Sequence, residues 1–259
     1  MQLFHLSRMP FQSTDAANAS TFAGPAQNGG EEQLDNPILN SLLTEHLFFA
    51  LAEGPARRFL PEIGPLSGVP DQSRESYEAL LPLAGPSGIL ALFFPDPPAL
   101  PSGWSLFRGG LLVQMISRAP RLVSASALAA GVNLRRLGEA DVPAMVELAT
   151  LTEPGPFRER TIELGNFYGI FEDQRLLAMA GQRMRVPGFV EVSAVCTHPD
   201  ARGRGYAGIL MSEVMRDIAA ENRTPFLHAF EDNPALRLYE KLGFTLRRTF
   251  HLAVIKNEA

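Results

Sequence analysis

The sequence predicts an α/β (α+β) protein built on a mixed, mostly antiparallel sheet flanked by helices. Three observations carry that expectation. From residue 132 onward, period-two segments alternate with segments whose apolar residues recur at helical spacing. Two close turns, Glu172-Asp173 and Val186-Pro187-Gly188, join consecutive strand patterns, which sets those strands antiparallel. A Gly/Arg segment, Arg202–Gly208, stands between a strand pattern and a helix pattern.

The chain has 259 residues, 46% hydrophobic and 20% charged, enough apolar surface for a sizeable core. With 23 Lys/Arg against 28 Asp/Glu the net charge is −5, which argues against a nucleic-acid coat or a polybasic membrane anchor. The one cysteine, Cys196, excludes an intrachain disulfide or a multi-cysteine metal site. The first residues lack a continuous apolar core, and no apolar run approaches the roughly 18 residues of a membrane span, so a soluble, cytoplasmic protein is expected.

Residues 1–36 read as a disordered lead-in, or as the product of a misplaced start codon, since they are small, polar and Gly-containing. Asn36 caps a helix with Pro37 in its first turn, expected to run to Gly54-Pro55. A second helix fits Asp71–Leu81. Short strands fit Gly88–Phe94, Ser105–Phe107 and Leu111–Ile116, with Gly109-Gly110 as a tight turn. Ser124–Gly131 reads as a linker or weak helix. Residues 37–130 hold most of the prolines and no lysine, so the chain divides into an N-terminal α/β domain (37–130) and a second domain (131–259).

The second domain is more regular. Val132–Arg136 is a strand; Asp141 and Pro143 open a helix through Leu151; Thr152–Phe157, with two prolines and a glycine, is a loop. Strands follow at Phe167–Phe171, Arg175–Arg185 and Phe189–Thr197. In the last, Val190, Val192, Ala194 and Cys196 share one face, and Glu191, Ser193, Val195 and Thr197 the other. A helix over Gly205–Glu221, a strand over Pro225–Phe230, a helix over Pro234–Leu242 and a strand over Phe244–Val254 complete the order.

Arg202-Gly203-Arg204-Gly205-Tyr206-Ala207-Gly208 carries the chemistry. Glycines let the backbone approach a ligand, and free N–H groups at a helix start favour an anion such as a phosphate. The plain alternative is a tight turn with solvated arginines. The same letters spell G-x-G-x-x-G, with Glu231 where a ribose-binding acid would stand. Only 28 residues follow Glu231, however, and antiparallel strands precede the loop, so a dinucleotide domain fits poorly. Glu191 is a carboxylate on an otherwise apolar strand and needs a partner or a task. His228, within FLHAF, is an alternative base or a core residue. Cys196 points to the apolar face and reads as core.

The segment Val195–Ala207, together with Tyr239-Glu240-Lys241-Leu242-Gly243-Phe244, resembles the GNAT superfamily of N-acetyltransferases, closest to its FR47-like branch, over roughly residues 132–256. The acyl-CoA signature lands on Arg202, Gly205 and Ala207. The resemblance implies acetyl-CoA as acyl donor, its pantetheine arm along Val195, Cys196 and Thr197 and its pyrophosphate on Arg202, Gly203, Arg204, Gly205, Tyr206, Ala207 and Gly208. It further implies Tyr239 as proton donor to the leaving thiolate and Glu191 as general base. Asn233 would help bind CoA, although it lies one residue closer to Tyr239 than the usual spacing and also suits a helix cap. Residues 37–120 could be a degenerate copy of the same fold. The acceptor, a small-molecule or peptide amine, would meet Glu153 and Phe157; neither nucleic acid, membrane nor metal is expected, and the oligomeric state stays open. Two rivals remain: a non-catalytic CoA-binding regulatory module, and a longer-chain acyl-CoA N-acyltransferase.

Overall fold

The computed structural model describes residues 30–258; residues 1–29 of the expected lead-in lie outside them. Glu31–Asp35 form a 3-10 helix whose Leu34 is fully buried. Helix α1 (Pro37–Leu43) opens as anticipated, with the Asn36 side chain accepting from the Leu39 N–H. It stops well before Gly54. A 3-10 turn (Leu47–Phe49) intervenes, and Gly54, at φ 44, turns strand β1 (Ala50–Glu53) into β2 (Ala56–Phe59). With β3 (Ser67–Gly68) these make a small sheet ordered β1-β2-β3. Helix α2 (Arg74–Ala84) starts later than Asp71 because Ser73 is its cap, accepting from the Ser76 N–H.

Then come β4 (Ile89–Phe94), β5 (Trp104–Ile116), β6 (Val132–Arg136), α3 (Val142–Thr152), β7 (Phe167–Glu172), β8 (Arg175–Val186) and β9 (Phe189–Thr197). Helix α4 (Tyr206–Ala220), β10 (Thr224–Phe230), α5 (Leu236–Lys241) and β11 (Thr245–Asn257) end the order. The turn expected at Gly109-Gly110 does not form: β5 is one strand paired along its length with β11. Ladder bonds to β11 outweigh local turn preference there. The glycine at 110 answers to packing, since the Phe230 ring lies 2.8 Å from where a Cβ would stand.

The large sheet has eight strands in the order β4-β11-β5-β10-β9-β8-β7-β6. Only the β9–β10 pair is parallel, so this is a mixed, mostly antiparallel sheet and not the doubly wound sheet of a dinucleotide domain. Strands β4 and β5, from before residue 130, share it with strands from after residue 130. Helix α4 covers one face through Ile209, Leu210, Val214 and Ile218, packed on Val190 and Val192. The other face carries α1, through Ile38 and Leu42, and α3, through Met145 and Leu148. Among the described residues, no helix is long and apolar enough to cross a membrane.

Candidate functional site

Two irregularities in the sheet open the site. Strands β9 and β10 are in register only from Phe189–Glu191 against Thr224–Phe226, and beyond that point no pairing joins them. Opposite, β8 and β9 lose register between Met179↔Cys196 and Gly181↔Ser193, so β9 carries an extra residue at Ala194–Val195. Ala194 accordingly has φ 51. The bulge reverses the alternation expected for this strand. Val190 and Val192 face α4 together with Val195, whereas Ala194 and Cys196 pack into the α3 cluster. Cys196 is core, its thiol pushed up to about 11 by burial.

The gap between the parted strands is a cavity of about 630 Å³. Its walls include Val192–Val195 of β9, Leu227–Phe230 of β10, Asn233, Tyr239, and the loop from Glu153 to Arg158. Residues of the first half close it: Pro65, Leu66, Ala91, Phe93, Arg108 and Leu112. Glu153 and Phe157 both reach this cavity, Phe157 packing edge-on to Phe167 at 5.8 Å between ring centroids. Tyr239 is buried, and burial raises its phenol to about 12. Its hydroxyl makes no hydrogen bond among the described residues, so it is a protonated donor with no partner inside the chain. Asn233 lines the cavity, and its Oδ1 accepts from the Ala235 N–H at 2.8 Å; the N-cap of α5 is Ala235, so Asn233 stands two residues ahead of the helix and does not cap it.

Next to the cavity, the Arg202–Gly208 loop leads into α4. Gly203 and Gly205 lie at φ 79 and 78, a region that disfavours any side chain. No side chain caps the helix start, leaving the first-turn N–H groups of Tyr206, Ala207 and Gly208 available to an anion. The Tyr206 ring is buried in the core beneath α4. The Arg202 guanidinium has no partner among the described residues, while Arg204 lies 3.3 Å from Glu172. Thr197 and Val195 end the bulged strand at the cavity side of this loop.

Glu191 is fully buried, and its oxygens are committed. Arg183 donates through Nε to Oε2 and through Nη2 to Oε1, both at 2.7 Å. His228 donates through Nδ1 to Oε1 at 2.8 Å. Burial alone would raise this carboxyl, but the Arg183 guanidinium and the His228 ring outweigh it and hold it at about 2. Burial in turn lowers His228, leaving a neutral ring beside an ionised Glu191. Because a carboxylate only accepts, Nδ1 carries the proton and Nε2 accepts from Gln114 Nε2 at 3.0 Å. Gln114 also donates to the Leu34 carbonyl at 2.9 Å and accepts from Arg247 Nη1 at 2.9 Å. One hydrogen-bonded row thus crosses β8, β9, β10, β5 and β11.

Arg183 and Gln114 went unremarked in the sequence. Gln114 stands directly opposite His228 in the β5–β10 register, but residues 114 positions apart give no local signal. Counting back from the Pro187-Gly188 turn puts Met184 opposite Glu191; a second irregularity, between Gln182 and Arg185, sets Arg183 there beside it. Among the described residues, no group of three or more His, Cys, Asp or Glu is placed to hold a metal ion.

The FR47-like protein family matches residues 167–252. A crystal structure assigned as an acetyltransferase of the GNAT family, from Novosphingobium aromaticivorans, is 39% identical, with a TM-score of 0.79 over 87% of this chain and 99% of that one. A GCN5-related N-acetyltransferase from Kribbella flavida, 16% identical, shares the fold at a TM-score of 0.60 over 84% of this chain and 94% of its own. A Drosophila protein, 14% identical, does so at 0.57 over 79% and 74%. No curated protein sequence matches the chain.

Proposed function

The chain belongs to the GNAT family of N-acetyltransferases, whose fold implies acetyl-CoA as donor, and from that premise we propose that it passes the acetyl group directly to a primary amine in a ternary complex. The observation that carries this reading is the cavity between parted parallel strands with the unpartnered Tyr239 hydroxyl in its wall. The pantetheine arm lies along Val195, Cys196 and Thr197, with the pyrophosphate on the Gly203–Gly208 amides and Arg202 beside it. The amine nitrogen attacks the thioester carbonyl carbon; the C–N bond forms and the C–S bond breaks. A backbone N–H freed at the Ala194–Val195 bulge polarises the carbonyl oxygen. Tyr239 gives its proton to the leaving sulfur and recovers one from water.

Glu191 and His228 present no unoccupied lone pair to the cavity, because Arg183, His228, the Met184 N–H and Gln114 already fill them. The ammonium proton therefore leaves through water, and Glu191 acts by holding Arg183 and His228 in place. Residues 37–130 act as a cover over the acceptor end, supported by the walls they contribute. Thermal unfolding with acetyl-CoA, CoA and NAD tests the donor, and CoA-thiol release with an amine panel tests transfer. A rise in Tm with acetyl-CoA and CoA but not NAD is expected, of about 2.7 kcal/mol at 100 times Kd. No rise with either CoA ligand overturns the reading.

A further inference from the structure

We infer that the acceptor bears a carboxylate as well as its amine, as a free amino acid does, and that Arg158 and Arg183 receive that carboxylate. This rests on reading the cavity as the acetyl-transfer site. The charged residues in its walls are Arg108, Arg158, Arg183 and Glu153, in a chain whose net charge is −5. Arg183 commits Nε and Nη2 to Glu191, while Nη1 makes no hydrogen bond among the described residues. The side chain is 11% exposed, and a Cβ on Gly155 would sit 3.8 Å from Nη1, so its free edge faces the loop that carries Glu153 and Arg158. Glu191 and the row behind it hold this guanidinium in one plane. A rigid donor fork of that kind suits a carboxylate.

Arg158 enters the chain's own hydrogen bonds only through its backbone, the N–H donating to Thr161 Oγ1 and the carbonyl accepting from the Thr161 N–H, and its guanidinium forms no ion pair among the described residues. A plain alkylamine or a polyamine would bring only positive charge into these walls. An amino carboxylate brings a partner for the arginines, and Glu153 faces its ammonium. The cavity thus reverses the slight preference for cationic acceptors that overall acidity suggests.

The test is CoA-thiol release by the full chain with matched acceptors: each amino acid, its amide, and the decarboxylated amine with the same side chain. The amino acid should exceed both in kcat/KM by about tenfold or more, the usual scale of a charge-assisted hydrogen bond. Arg158→Ala, at an exposed position, should raise KM for the amino acid about tenfold and shrink its advantage over the amide, without a matching rise in KM for acetyl-CoA. Arg160→Ala, two residues away, pairs with Glu163 and should change neither. Amides or decarboxylated amines that equal the amino acids overturn the inference, as does an advantage that survives Arg158→Ala. Absence of release with every set, by a protein whose Tm still rises with acetyl-CoA, also overturns it. Loss of that rise instead overturns the transfer reading on which it stands.

Discussion

Tyr239 and Glu191 lie close to one cavity in opposite electrostatic conditions, and their substitutions should separate accordingly. Tyr239 has no hydrogen bond to lose among the described residues, so Tyr239→Phe should leave the fold intact. It should lower kcat by roughly 10²-fold, the scale of general acid catalysis, with CoA affinity nearly unchanged in a calorimetric titration. Glu191→Gln strands the buried Arg183 charge, and removing one member of a buried pair costs about 3–5 kcal/mol, measurable by urea unfolding. Its pH dependence has a definite sign. The folded-state carboxyl is held at about 2, below the ordinary 4.5. The pair's stabilisation is therefore complete above pH 4.5 and drains away as pH falls towards 2. The stability gap between the two proteins should narrow over that window; a gap that is constant with pH would show that Glu191 is not ionised in the folded chain. Glu191 drew notice in the sequence because a carboxylate on an apolar strand requires a partner. Which partner it has was hidden, because a register irregularity sets Arg183 beside Met184 opposite it.

Single elements were legible where their own residues dictate them. Val132–Arg136 emerges with its expected bounds, and α4 within one residue of its expected ends, since period and capping are local properties. The Gly/Arg loop is of the same kind. Gly205, at φ 78 with no atom within 4 Å of a built Cβ, has room for a side chain but not the backbone geometry for one. Gly205→Glu would in addition put a carboxylate among amides that await an anion. We expect it to weaken CoA binding by tenfold or more and to abolish the Tm rise with CoA, read in the same unfolding experiment. The helix expected to reach Gly54 and the turn expected at Gly109-Gly110 fail for a common reason. Sheet pairing decided both stretches, Ala50–Glu53 with the adjacent β2 and β5 with the distant β11, and propensity is a weak prior against it.

At the scale of the molecule, composition changes near residue 130 but the sheet does not. Strand β5 lies between β10 and β11, and β11 lies between β5 and β4. A fragment of residues 131–259 would expose the β10 edge and leave β11 with neither neighbour. Expressed alone, it should be aggregated or lack the dispersed amide spectrum of a folded domain; a well-dispersed spectrum would show instead that the second half folds without the first.

The amino-acid sequence by itself determined the α/β class, the strand and helix order after residue 132, the Gly/Arg loop ahead of α4 and the family, because each depends on residues a few positions apart. Only the tertiary structure decided that β5 inserts between β10 and β11, that the bulge at Ala194 turns Val195 towards α4, and that Gln114, His228, Glu191 and Arg183 form one row. Those outcomes depend on register between distant strands, which is set by burial and ladder bonding over the whole sheet and leaves no periodic trace in any short segment.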